Sequence, residues 1–139
     1  YIIIGTHLDV CSEIIRKKQI KKILSVVNHN KNRTKKAIIL GDFNTTNLNQ
    51  YDSSKSKKNI MEHVFNNSQY LKNNNVFKAM IDNNFKSATE SLNINLTVWS
   101  NIQCDYIFTR GVKDVKPQIL YTPNSDHLPL IIDIKDNDI

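Results

Sequence analysis

The chain has 139 residues, 19 Lys and Arg against 13 Asp and Glu, a formal net charge of +6, and 40% apolar residues. That length suits one domain, and the apolar share excludes wholesale disorder or a collagen-like repeat. Two cysteines exclude a disulfide-stapled mini-protein, no CxxC or His/Cys cluster points to structural zinc, and no apolar run approaches the roughly 20 residues of a bilayer span.

In chain order, Tyr1 to Gly5 is an apolar run fit for a buried strand, leading into Thr6-His7. The chain opens in mid-strand without a Met, so it is expected to be a fragment or a processed product. Ser12 and Glu13 open a helical pattern in which Ile20, Ile23, Leu24 and Val27 recur on one face, with Ser12 as N-cap. Asn28 to Lys36 is polar and turn-like. Ala37-Ile38-Ile39-Leu40 is a second buried strand, closed by Gly41. Strand, helix and strand in this span predict a parallel, right-handed βαβ unit.

Thr45 to Asn59 reads as a long loop. Residues 60–83 carry short helical segments with Met61, Val64, Phe65, Val76, Phe77, Met80 and Ile81 facing inward. Phe85 to Trp99 is ambiguous. Gln103 to Thr109, Gln118 to Tyr121 and Leu128 to Ile134 read as strands, the last entered through the turn Pro123-Asn124-Ser125-Asp126-His127. No internal repeat or linker divides the chain. The expectation is a single α/β domain with Cys11 and Cys104 reduced.

Charge and composition are biased. From Arg16 to Lys36 there are nine basic residues and no acid. Such a stripe attracts polyanions and releases counterions from nucleic acid. The plainer account is a solvated helix face followed by a basic turn in a lysine-rich chain, since a charged run alone is weak evidence. Nineteen asparagines reflect compositional bias, which lowers the weight of any single Asn. The Asn-x-Ser/Thr matches at Asn32, Asn44, Asn66 and Asn95 are therefore not read as glycosylation.

The chemistry collects at strand ends. The first strand ends in His7, with Asp9 just beyond, and the second in Gly41-Asp42-Phe43-Asn44. Asp105 lies inside Cys104-Asp105-Tyr106-Ile107-Phe108, and Asp126 and His127 enter the last strand. Each feature alone has a plain structural account: a satisfied histidine, a turn, an Asx cap or an ion pair. As a set they are complementary. Histidines exchange protons near neutral pH, aspartates orient them, bind a hard cation or activate water, and Asn holds a water or a phosphate oxygen. That inventory suits metal-assisted attack of water on a phosphate ester.

In order, Thr6-His7-Leu8, Arg16 and Gln19, Ile39-Leu40-Gly41-Asp42-Phe43-Asn44, Thr97-Val98-Trp99, Cys104-Asp105-Tyr106-Ile107-Phe108 and Ser125-Asp126-His127-Leu128-Pro129-Leu130 span nearly the whole chain. This series resembles the C-terminal half of the endonuclease/exonuclease/phosphatase superfamily, the DNase I-like fold. The resemblance implies a four-layer α/β sandwich with a mixed sheet and flanking helices. Residues 1–139 would form a single partial domain whose N-terminal half is absent, and with it the family's main metal Glu and a further Asn.

The resemblance also implies roles. Asp42 would be general base, with Asn44 placing the water or the scissile phosphate. His127 would contact the phosphate, oriented by Asp105, while His7 contacts the phosphate or assists the leaving group. Asp126 would hold the divalent metal, Mg²⁺ with Mn²⁺ as the alternative. Arg16 and Gln19 are assigned to helix packing.

The implied activity is a metal-dependent phosphodiester hydrolase, with the basic stretch favouring nucleic acid. Trp99 and Tyr106 are candidates to stack on a base, though a Trp at a strand edge more often packs in the core. The superfamily's inositol phosphatases carry a Trp-Cys-Asp-Arg run. Here Trp99 and Cys104 are separated and Tyr106 stands in place of the Arg, which argues against that branch. A hydrolase acting on a phosphorylated small molecule or lipid, and a non-catalytic module that binds phosphate-bearing ligands, are the alternatives.

Overall fold

The computed structural model of the protein describes residues 1–29, 36–46, 75–92 and 103–135. Strand β1 (Ile2–His7) leads through helix α1 (Glu13–His29) into β2 (Ala37–Asp42). Helix α2 (Asn75–Asp82), a short β3 (Lys86–Ser87) and a 3₁₀ turn (Ala88–Ser91) follow. Strand β4 (Asp105–Arg110) and a hairpin of β5 (Lys116–Ile119) and β6 (Leu130–Asp133) complete the described elements. The principal sheet has the order β1-β2-β4-β3. β1 and β2 are parallel, joined by α1 as the expected βαβ unit, and β4 runs antiparallel to both β2 and β3.

Alternation along the strands decides which side of the sheet each residue serves. Ile2, Ile4, Ala37, Ile39, Tyr106 and Phe108 share one face and pack beneath the helices, which contribute Ile20, Leu24, Val27, Val76, Phe77 and Met80. Ile20, Val27, Ile39, Val76, Met80 and Tyr106 are fully buried. Phe43 enters this core from just beyond β2, its ring 5.1 Å from that of Phe108 in an edge-on contact. Tyr106 meets Phe77 at 4.9 Å, also edge-on, and its hydroxyl donates to the Gln103 carbonyl at 3.0 Å. Tyr106 is thus a core aromatic with a satisfied polar tip, and no base can stack on it.

Ile38, Leu40 and Asp42 from β2, with Asp105, Ile107 and Thr109 from β4, point to the other face. β6 lies against β4, and Ile38 and Ile107 are buried.

Four differences from the sequence expectations have physical causes. Ile3 is 65% exposed, because among the described residues it is the Ile2/Ile4 face of β1 that the core covers. Ile81 is also exposed, since α2 is amphipathic and its buried stripe is Val76, Phe77 and Met80. The fifth strand begins at Lys116 rather than Gln118, taking Pro117 into a strand that, among the described residues, pairs with β6 alone, where a missing N–H is tolerated. The last strand is shorter than Leu128 to Ile134, spanning Leu130–Asp133. The expected helical positions Met61, Val64 and Phe65 and most of the Thr45 to Asn59 loop lie outside the described residues.

One glycine fixes how closely β1 and β2 approach. Gly41 has φ +133°, and a Cβ there would lie 1.9 Å from the Thr6 carbonyl oxygen. Gly5, on the neighbouring strand, has open space where a Cβ would go. Gly41→Ala is expected to destabilise the protein by more than about 2 kcal/mol, while Gly5→Ala stays within about 0.5 kcal/mol. Chemical denaturation of the two variants reads the difference; equal effects would refute this account of the β1–β2 contact.

Candidate active site

The site forms where the carboxyl ends of β1 and β2 meet the start of β4. In-register pairing sets His7 beside Asp42 and Asp42 beside Asp105. Residues paired in this way present their side chains to one face, so three strands deliver three polar groups side by side. The same backbone ladder continues one step further, with the Leu8 N–H donating to the Asp42 carbonyl at 2.9 Å.

Asp42 is held from two sides. Its Oδ1 accepts the Asn44 backbone N–H at 2.7 Å, an Asx-turn. Its Oδ2 lies 3.5 Å from His7 Nε2. The turn requires a left-handed residue, and Asn44 adopts it at φ 46°, a conformation Asn tolerates better than most. The Asn44 side-chain amide donates to the Leu8 carbonyl at 2.9 Å. One N–H is thereby committed, and the side-chain oxygen remains available as an acceptor.

His127 comes from the turn before β6. Its Nδ1 lies 2.9 Å from Asp105 Oδ2, which fixes the ring and leaves Nε2 as the atom to meet a ligand. The turn itself is braced by the His127 N–H, which donates to Ser125 Oγ at 3.1 Å. Partial burial of the ring by itself lowers its pKa. The hydrogen bond with Asp105 and the charges of Asp105, Asp42 and Asp126 outweigh that effect, so the pKa is raised above 6.5.

Cys104, next to Asp105, behaves differently. Burial, and then the charges of Asp42 and Asp105, push its thiol up to about 12 against an opposing influence of Arg16. It stays protonated at neutral pH and is no nucleophile. Neither cysteine is in a disulfide; Cys11 is exposed and Cys104 buried.

Five of the residues expected from sequence therefore converge: His7, Asp42, Asn44, Asp105 and His127. Ligand atoms of Asp42, Asp105 and His127 all lie within 4.8 Å of one another, a set able to hold a metal ion. Asp126, expected as the metal ligand, is exposed on the turn beside His127 and lies outside that set. Trp99 lies outside the described residues. The carboxylates of that set are Asp42 and Asp105, two of the three aspartates whose capacity to bind a hard cation the sequence shows, and the pairing of β2 with β4 sets them side by side.

The described residues form an α/β fold with a mixed sheet. It is similar to the crystal structure of an endonuclease/exonuclease/phosphatase family protein from Bacteroides thetaiotaomicron, with a TM-score of 0.57 and 16% identity over 92% of this chain. The fold is a partial α/β sandwich of the DNase I-like kind. The chain spans 46% of that structure's length, about half of it. No family model matches the sequence, and no curated protein matches it. Among the described residues no helix is long and apolar enough to cross a membrane.

The raised His127 pKa has a definite sign. A histidine with a folded pKa above its unfolded value contributes stability in full below the unfolded pKa and loses it as pH rises through the folded one. In metal-free protein, an NMR titration of His127 is expected to give a pKa above 6.5. In Asp105→Asn the pKa is expected to fall markedly, because the hydrogen-bonded charge goes while the burial stays. An unchanged pKa in that variant would show that Asp105 is not the cause.

Proposed function

We propose that the protein is a metal-dependent phosphodiester hydrolase of the endonuclease/exonuclease/phosphatase superfamily, acting on nucleic acid. The observation that carries this reading is the Asp105–His127 hydrogen bond lying next to Asp42 and Asn44 at one sheet end. The motifs that hold these residues follow the superfamily's order, and the fold similarity agrees with it.

In this reading a water attacks phosphorus and passes its proton to the Asp42 carboxylate, while the bond from phosphorus to the leaving oxygen breaks. Asn44 accepts from that water through its side-chain oxygen, because an amide N–H is committed to Leu8. His127, kept protonated to a higher pH by Asp105, donates from Nε2 to a phosphate oxygen. His7, exposed at the rim, contacts the phosphate or protonates the leaving oxygen. Most of the rate enhancement asked of these groups is positioning and charge stabilisation.

The donor set fits a divalent cation. Asp42 and Asp105 offer hard carboxylate oxygens of the kind Mg²⁺ takes with waters and substrate oxygens. His127 Nδ1 is occupied by its bond to Asp105, so the carboxylates are the better donors. Mn²⁺ suits the same set. Once bound, the ion neutralises charge developing on the transferring phosphate.

The choice of nucleic acid rests on Lys18, Lys21 and Lys22, exposed along α1, with Lys17 partly so. The only acid of that helix, Glu13, is paired with buried Arg16, leaving the outward side unopposed.

In the full-length protein, Asp42→Asn and His127→Ala are each expected to lower kcat by about 10²–10⁴-fold with little change in melting temperature. The assay is Mg²⁺-dependent cleavage of single-stranded DNA, RNA and an inositol phosphate, with EDTA as control. A normal rate in either variant sinks the residue assignment, and phosphate binding with no turnover of any substrate makes the protein a binding module. Changing Lys17, Lys18, Lys21 and Lys22 to Gln is expected to weaken nucleic-acid affinity and flatten its dependence on salt. An unchanged slope would reduce the stripe to a solvated helix face.

A further inference from the structure

We propose that Arg16 is a positioning residue for the candidate site, holding the loop after β1 so that its Leu8 carbonyl aims Asn44. The proposal rests on the reading above only in so far as Asn44 acts in turnover.

Arg16 is 1% exposed, on the buried side of α1. Desolvating a guanidinium is costly, and an aliphatic side chain would fill the same space if packing were the whole purpose. The hydrogen bonds show another purpose. Arg16 Nη1 donates to the Asp9 carbonyl at 2.7 Å and to the Val10 carbonyl at 3.2 Å. Its Nε bonds Glu13 Oε2 at 2.8 Å, which compensates the charge from within the helix.

The loop is short, and nearly all its polar backbone is accounted for. Gln19 Oε1 accepts the Asp9 N–H at 2.9 Å. Asp9 Oδ1 accepts the N–H groups of Cys11 and Ser12 at 2.9 and 2.7 Å, and the Ser12 carbonyl accepts the Arg16 N–H at 2.9 Å. At the other end, Leu8 donates to the Asp42 carbonyl and accepts from the Asn44 side chain. Leu8 therefore stands between two sets of bonds, one from α1 and one from the β2 exit. His7 precedes it directly. Remove the guanidinium, and the carbonyls of Asp9 and Val10 lose the donor that fixes the loop one residue away from the group that orients Asn44.

Glu13 sharpens the argument. Its Oε1 is buried without a hydrogen-bond partner among the described residues. A pair selected for stability alone would satisfy both carboxylate oxygens. The half-satisfied Glu13 accompanies an Nη1 that is committed to two loop carbonyls.

The test uses a variant that removes the ion pair without leaving a buried charge. Glu13→Leu with Arg16→Met replaces both charged groups by apolar ones of similar size, a change that buried pairs often tolerate. A second variant, Gln19→Met, takes away the Asp9 acceptor and leaves the ion pair in place. In the full-length protein, backbone amide exchange at Leu8, Cys11 and Ser12 and the Asn44 side-chain amide resonances are followed by NMR. Turnover of bis(4-nitrophenyl) phosphate with Mg²⁺ is followed in parallel.

The double variant is expected to keep its melting temperature, exchange these amides at least about tenfold faster and shift the Asn44 amide resonances. Its kcat is expected to fall by about tenfold or more with KM nearly unchanged. Gln19→Met is expected to move the same quantities in the same direction by less. If the double variant does not fold, Gln19→Met decides alone. Wild-type exchange, Asn44 shifts and kcat in folded variants would overturn the proposal and return Arg16 to helix packing. A wild-type protein with no phosphoesterase activity would remove the functional reading and leave the exchange and Asn44 shifts to judge the positioning role.

Discussion

The pairing of three strands in one register is the constraint from which the site follows. β1 and β2 align His7 with Asp42, and β2 and β4 align Asp42 with Asp105. Cross-strand neighbours in a sheet lie about 4.5–5.5 Å apart at Cα, and their side chains take the same side. A slip of one residue in either pairing would turn one of these groups into the helix-covered core. Burial guards against such a slip, since Ile39 and Phe108, paired three residues along from the site, are both fully enclosed on the opposite face. The apolar body of the sheet thus sets the position of its polar end. Gly41 is where the two requirements meet, because it lies next to Asp42 and its missing Cβ is what lets Thr6 pass.

Placing Asp42 and Asp105 side by side concentrates negative charge, and the surroundings answer it in particular ways. Asp42 takes a backbone N–H and faces an imidazole, and Asp105 bonds another imidazole. Burial, and after it the charges of both carboxylates, push the neighbouring Cys104 thiol up to about 12. Two carboxylates side by side make this a locally negative corner. That is the condition under which a divalent cation or a phosphate's counter-charge is strongly attracted. It also explains why His127 gains a proton more readily there than in water.

Local pattern made some of this legible in the sequence. The apolar runs at Ile2–Ile4 and Ala37–Leu40, with a helical stripe between them, gave the parallel βαβ unit without any knowledge of the rest. Gly41-Asp42-Phe43-Asn44 read as a strand-ending turn, and Asp105 as a carboxylate that needed a partner, found in His127 some 22 residues away. What local pattern misses is which face is covered. Ile3 and Ile81 carry the same apolar side chains as their buried neighbours, and only the placement of α1 and α2 decides that they are exposed. Arg16 shows the opposite case. It heads a run of nine basic residues, yet its register with Ile20 and Leu24 puts it among the buried positions of α1, in line with its assignment to helix packing.

The burial of Arg16 separates two charge systems that look continuous in the sequence. Lys18, Lys21 and Lys22 project outward from α1, where their charges are screened over about 10 Å and act on whatever approaches. Arg16 turns inward, matched to Glu13 and spent on two carbonyls. The first system alters encounter with a polyanion and is sensitive to salt. The second is shielded from salt and alters the geometry of the loop between His7 and α1. On the proposed reading one helix serves affinity on its outer side and placement on its inner side, and a fold shared at 16% identity leaves the chemistry to be argued from the residues at its edge.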